Sequence, residues 1–277
     1  MNNKNPIFTE NVNVSKTHPL VDFLWLGGAS ILLVVSLTII LYLSMQWLAP
    51  YIPFSFEQKL VSSFDESALS NNNPDMDSNE YRRLEYLHNL ATELANAQGL
   101  QDEMTIKVHW LDDDMVNAFA TLGGHIFITK GLWNEMPNEN ALAMVMAHEI
   151  AHIKHRDPLR VLGAGVALSL ITTLIFGTSD AGISLAGSGG ILTSLHFNRS
   201  MESEADKEAL KTLQAYYGHV AGSTDFFERI LDEDSISIPF LQTHPLTQDR
   251  INKIIDMQTE NNWIETPELV KPLAEFR

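Results

Sequence analysis

His148 and His152 lie four residues apart, with Glu149 directly after the first, in the stretch ALAMVMAHEIAHIKHRDP. Side chains at that spacing share one helix face, so both imidazoles can bind a single zinc ion. Glu149 is rotated off that line and can act as general base on water at the metal without being a ligand. The setting sharpens the reading, because a helix rich in alanine and methionine is a costly place for two imidazoles and a carboxylate without partners. Catalytic zinc takes a third protein ligand and an open position. His155 is on the same face, but three side chains along one straight helix cannot converge on a tetrahedral ion. It reads instead as a C-terminal histidine interacting with the helix dipole, just before Pro158 stops the helix. The third ligand is expected from NRSMESEADKEALKTL, where Glu202 and Asp206 share a helix face above Ala209 and Leu213. Glu202 can bind zinc while Asp206 orients an imidazole or fixes a neighbouring helix. Glu204 points to a different side and is the weaker candidate. By spacing alone, such an acidic pair is equally ordinary surface charge.

These side chains need elements to hold them. Residues 79–98 have helical periodicity, with Tyr81, Leu84, Leu87, Leu90, Ala91 and Leu94 on one stripe. TIKVHWL (105–111) and HIFIT (125–129) read as strands, and Gly123–Gly124 between them as a tight turn. Helices are expected over Asn140 to Arg156 and over 198–216, with shorter ones from Asp225 to Leu231 and from Thr247 to Asp256. The class is α+β with helices dominant and a small sheet. HIFIT, near the zinc helix, is a candidate edge for an extended substrate to join as a strand, or else an ordinary sheet strand.

The 277 residues carry 35 acidic and 18 basic side chains, a formal net charge of −17, and no cysteine. That charge argues against nucleic-acid binding, which needs a cationic footprint. Without cysteine there is no thiolate, so any metal chemistry falls to histidine and carboxylate. No charged residue lies between Asp22 and Glu57, and Phe23 to Ala49 is apolar with no polar face. Its length exceeds a hydrocarbon core of roughly 30 Å. Trp25, Tyr42, Trp47 and Tyr51 sit towards its ends, where amphipathic rings favour headgroups. The run is too long for a cleaved signal and lacks a small-x-small site, so it reads as an uncleaved anchor. The basic residues Lys4 and Lys16 precede it, which predicts a cytoplasmic N-terminus and a remainder facing outward, on the periplasmic side of a bacterial inner membrane.

HEIAHIKH followed by ESEAD (202–206) resembles the HtpX and CAAX prenyl endopeptidase family of zinc metallopeptidases, which includes the BepA-like and Oma-type enzymes. NAFATLGGHIFITKGL (117–132), NENALAMVMAHE and THPLTQDR (243–250) match as well, so the similarity spans residues 80–256. Leu122 is a departure, standing where many members have proline, and it touches no ligand. The resemblance implies a mostly helical gluzincin-type domain with one Zn2+ held by His148, His152 and Glu202. It implies Glu149 as base and Asp206 as a supporting carboxylate. By the same analogy His244 and Arg250 are placed near the site, as donors to the tetrahedral oxyanion. His244 has an alternative role, filling the open zinc position and keeping the enzyme latent.

The expected organisation is a cytoplasmic tail (1–22), an anchor (23–49), a juxtamembrane segment and linker (50–78), a metallopeptidase domain (79–260) and a tail (261–277). A second uncharged run begins at Val161, and one zinc site requires the interval from His148 to Glu202 to cross a membrane zero times or twice. Zero crossings is the expectation, with 161–177 packed in the domain or against the bilayer surface. The function expected is a membrane-anchored zinc endopeptidase acting on misfolded or membrane-associated proteins in quality control or processing. The rival is a chaperone-like or binding envelope protein with a latent or structural zinc. Cleavage of prenylated substrates needs a chamber of many spans, and this chain has one clear span.

Overall fold

A computed structural model describes residues 18–62, 78–163, 165, 197–232, 239–245, 248–263 and 270–273. The N-terminal tail, the 63–77 linker and most of the second apolar run, including the question of its crossings, lie outside the described residues.

Helix α1 (Pro19–Leu48) begins with proline in its first turn, where the missing N–H has no helical partner to lose. It is followed by a short 3-10 turn (Ala49–Tyr51). Its side chains are apolar all round and none is buried by the protein, the pattern of a helix that finds its apolar surroundings elsewhere. The juxtamembrane segment forms helix α2 (Phe54–Ser62), which buries Phe54, Glu57 and Val61.

Helix α3 (Ser78–Ala97) buries Leu87, Leu90, Ala91, Leu94 and Ala95, whereas Tyr81 stays exposed at the start of the expected stripe. The sheet contains β1 (Lys107–Leu111), β2 (Ala118–Thr121) and β3 (His125–Thr129), in the order β1-β3-β2. β1 runs parallel to β3 and β2 antiparallel to it. β3 is therefore the central strand, and the expectation of HIFIT as a free edge is corrected: both of its hydrogen-bonding sides are taken, and β1 and β2 form the two edges. The reason is Ala118–Thr121, a short strand folded back by the Gly123–Gly124 turn. Both glycines have left-handed φ values, 72° and 83°. A Cβ on Gly124 would collide with the Thr105 carbonyl, so that turn requires glycine.

A short helix α4 (Lys130–Glu135) leads to α5 (Glu139–Lys154), the helix carrying the histidine pair. Asn138 caps α5, its Oδ1 accepting from the Ala141 N–H at 2.8 Å while its Nδ2 donates to Asp225. Every residue of α5 from Asn140 to Ile153 is buried, as its near-continuous apolar sequence demands. It packs between the sheet, α3 and α6 (Arg199–Tyr217). Proline 158 does not simply stop α5. The chain turns at His155 and Arg156, and a further helical stretch starts at Asp157 with Pro158 in its first turn. Helix α7 (Asp225–Asp232), helix α8 (Pro239–Thr243) and helix α9 (Gln248–Glu260) complete the described elements. The extended 270–273 segment returns to the start of α5, where Glu139 N–H donates to the Lys271 carbonyl at 3.0 Å.

Candidate active site

Helix α5 presents His148 and His152 on one face, as their spacing requires. Helix α6 runs against it, and Asn198 caps that helix by accepting from the Ser200 and Met201 N–H groups at 3.0 and 3.1 Å. The cap starts α6 so that Glu202 and Asp206, one turn apart, both face α5. The segment after α8 brings in His244, and α9 brings in Arg250 from its first turn. All of these residues are buried; His152, His244 and Glu149 have no exposed surface.

The donor atoms converge. His148 Nε2 lies 3.0 Å from His152 Nε2, 3.3 Å from His244 Nδ1 and 3.4 Å from Glu202 Oε2. Glu202 Oε1 lies 3.5 Å from His152 Nε2 and 3.0 Å from His244 Nδ1. The four residues each offer an atom within 4.8 Å of all the others. Tetrahedral zinc with bonds near 2.1 Å has ligand-to-ligand edges of about 3.4 Å, so these spacings fit the ion. Glu149 completes the fit. Neither of its buried oxygens has a hydrogen-bond partner, and His244 Nε2 lies 3.4 Å from Oε1. A buried carboxylate without partners in a native core calls for a functional reason.

Outer contacts fix the donors. Asp157 Oδ2 sits 2.9 Å from His152 Nδ1 and Asp206 Oδ1 sits 3.0 Å from His148 Nδ1, leaving each Nε2 turned inward. Arg250 grips Asp206 through Nε at 2.8 Å and Nη2 at 2.7 Å, and its Nη1 reaches Glu202 Oε2 at 2.8 Å. The same Nη1 donates to the Pro245 carbonyl, tying the His244 segment to the arginine. Phe197 stacks on the His152 ring with centroids 3.9 Å apart, and Phe240 stacks on His244 at 5.0 Å.

The electrostatics are those of a pocket built for a cation. Burial favours neutral imidazole at His152, but Asp157 and Glu202 outweigh it and push that group up to about 10. His148 is likewise pulled down by burial and raised overall by Asp206 and Glu202. Burial alone would raise Glu202, yet His244, His148 and His152 hold it well below the usual carboxylate range. Asp206 is also held low, burial being outweighed by His148 and Arg250. Carboxylates that hold protons on neighbouring imidazoles can hold a divalent cation in their place.

Thus His148, Glu149, His152, Glu202, Asp206, His244 and Arg250 come together, while His155 and Glu204 do not. Both of those line a separate surface depression with Asp157, Arg160, Ser200 and Met201. Burial lowers the His155 pKa, and the residue forms the C-cap of α5. The sequence reading missed Asp157 and Phe197. Asp157 was within reach of it, as a carboxylate immediately beyond the helix that needs its histidine oriented.

The sequence model of peptidase family M48 matches residues 82–258. An Escherichia coli protein named beta-barrel assembly-enhancing protease is 31% identical over 157 residues, 51% of this chain and 32% of its own length. The Schizosaccharomyces pombe protein named mitochondrial metalloendopeptidase OMA1 is 27% identical over 209 residues, 73% of this chain and 61% of its own. A Burkholderia mallei protein named protease HtpX homolog is 28% identical over 194 residues, 54% of this chain and 67% of its own. The chain thus spans about a third of the length of the first of these relatives.

Proposed function

The chain belongs to peptidase family M48, and from that premise we propose that it is a membrane-anchored, zinc-dependent endopeptidase in a latent arrangement. One observation carries the reading: His148, His152, Glu202 and His244 converge at metal-ligand spacing beside the unpartnered carboxylate of Glu149. His148, His152 and Glu202 would hold the ion. When bound, zinc would polarise the scissile carbonyl and bring the pKa of water down to about 7. Glu149 would act as general base towards the attacking water and then as general acid towards the leaving amine, a role supported by its two buried oxygens having no hydrogen-bond partner. Asp206 and Asp157 hold the two imidazoles in the required tautomer. Arg250, with its nitrogens already engaged by Asp206, Glu202 and Pro245, is assigned to bracing those acids, leaving its expected part in oxyanion binding without support. His244 takes the fourth corner of the donor set, which supports its latency role over the oxyanion role in this arrangement.

Substrates are proposed to be proteins of the envelope or membrane, in line with the names of the relatives and with the one helix among the described residues, Pro19–Tyr51, that is long and apolar enough to cross a bilayer. The catalytic domain would face the outer side. An extended peptide would find its strand edge at β2, beside α5, with α8 packed against that strand. Replacing Glu149 with Gln is expected to leave zinc bound at one equivalent while cutting casein cleavage by about a thousandfold or more. Metal analysis beside a proteolysis assay checks this, and undiminished cleavage would sink the mechanism. A second reading draws on the four-donor set, since structural zinc sites are four-coordinate and closed. It describes a binding or chaperone-like protein, and a wild type that never cleaves under any condition would favour it.

A further inference from the structure

Glu57 belongs to α2, outside the matched 82–258 region, yet it is 2% exposed and bonded into the metal domain. Its Oε1 accepts from Arg156 Nε at 2.7 Å and its Oε2 accepts from the Gly123 N–H at 2.9 Å. Arg156, also 2% exposed, has a left-handed backbone with φ 62°, at the position after a helix end that glycine normally fills. Its guanidinium lies 5.2 Å from the centre of the Phe54 ring. The next residue is Asp157, whose carboxylate orients His152. A single peptide bond, Arg156 to Asp157, thus separates the Glu57 contact from the hydrogen bond that aims a metal-donor nitrogen.

Apolar packing runs along the same route. Ala49 at the end of the anchor, Val61 of α2, Leu122 of the β2–β3 turn and Leu159 beyond α5 form one buried cluster, joined by Met45, Ile52, Leu60 and Leu162. Met45 of α1 reaches Gly163 directly. The anchor and its following helix therefore seat on both the glycine turn and the exit of α5.

We propose that Glu57 is a positioning residue of the metal site: by fixing Arg156 in a backbone conformation it would otherwise leave, it sets where Asp157 holds His152. The protein segment next to the bilayer thereby completes a site whose donors all lie within the family domain. This rests on the reading of His148, His152 and Glu202 as zinc donors, and the test separates the two.

The full chain in detergent, stripped of metal, is titrated with zinc against a competing chelator, and its thermal midpoint is recorded. Glu57→Gln should raise the zinc dissociation constant about tenfold, the low end of the loss when an outer partner of a metal-bound histidine is removed. The paired variant Glu57→Gln with Arg156→Met removes the buried unpaired charge. It should regain most of the thermal midpoint while its zinc affinity stays weakened. Val61→Ala, a cavity on the same helix, should lower the midpoint and leave zinc affinity unchanged. Wild-type zinc affinity in Glu57→Gln, or recovery of affinity together with the midpoint in the paired variant, overturns the proposal. So does a loss of affinity in Val61→Ala equal to that of Glu57→Gln. If Glu57→Gln does not fold, the other two variants decide. Wild-type zinc binding by His152→Ala would instead overturn the metal reading itself.

Discussion

Glu149 and His244 face each other at 3.4 Å inside a wall of buried groups, and their chemistry depends on which of them owns the space between. With His244 in place, its Nδ1 sits with the three donors and its Nε2 blocks the approach to the Glu149 carboxylate. Removing the imidazole opens both. His244→Ala is therefore expected to raise basal casein cleavage by about tenfold while zinc stays bound by three donors, since a competent state that was a minority becomes the default. A fall in basal rate with zinc retained would return His244 to oxyanion binding. Loss of zinc together with unfolding would favour a closed structural site.

At the scale of elements, β1 and β3 bring a second histidine pair together. His109 Nε2 lies 2.8 Å from His125 Nδ1 and the rings stack, with Phe127 beneath His109. Burial, then mutual repulsion and Lys107, lowers His109 to about 4; burial and Lys107 lower His125 to about 4. Both folded values lie below the ordinary 6.5, so the unfolded chain binds more protons between the two limits. Stability from this pair is complete above about pH 6.5 and falls progressively as pH drops towards 4. Denaturant unfolding in detergent at several pH values should show that slope, and His109→Gln should flatten it. An unchanged slope would mean that other groups control the acid limb. TIKVHWL and HIFIT are legible as strands in the sequence, but the pairing of their histidines is not, because strand order is a matter of non-local contacts.

The whole molecule joins an unburied apolar helix to a domain whose own core is closed. Alkaline carbonate extraction is expected to leave the full chain in the membrane pellet, and removing residues 1–49 should release the rest. Release of the full chain by carbonate would argue against an integral anchor. Ala49, Val61, Leu122 and Leu159 pack the end of this apolar helix and α2 against the domain at this junction.

Much of this was legible in order along the chain. Four-residue spacing put His148 and His152 on one face, continuous hydropathy marked the apolar helix α1, and an acidic pair was recognisable at Glu202 and Asp206. Those are local properties, set by helix geometry and by the cost of exposing or burying a side chain. The structure alone decided that β3 lies at the centre of the sheet, that His244 enters the donor set and that Glu57 is bonded to Arg156. Those contacts join residues far apart in sequence, and their partners are chosen by packing and by the need to satisfy buried charge. No periodicity records that choice.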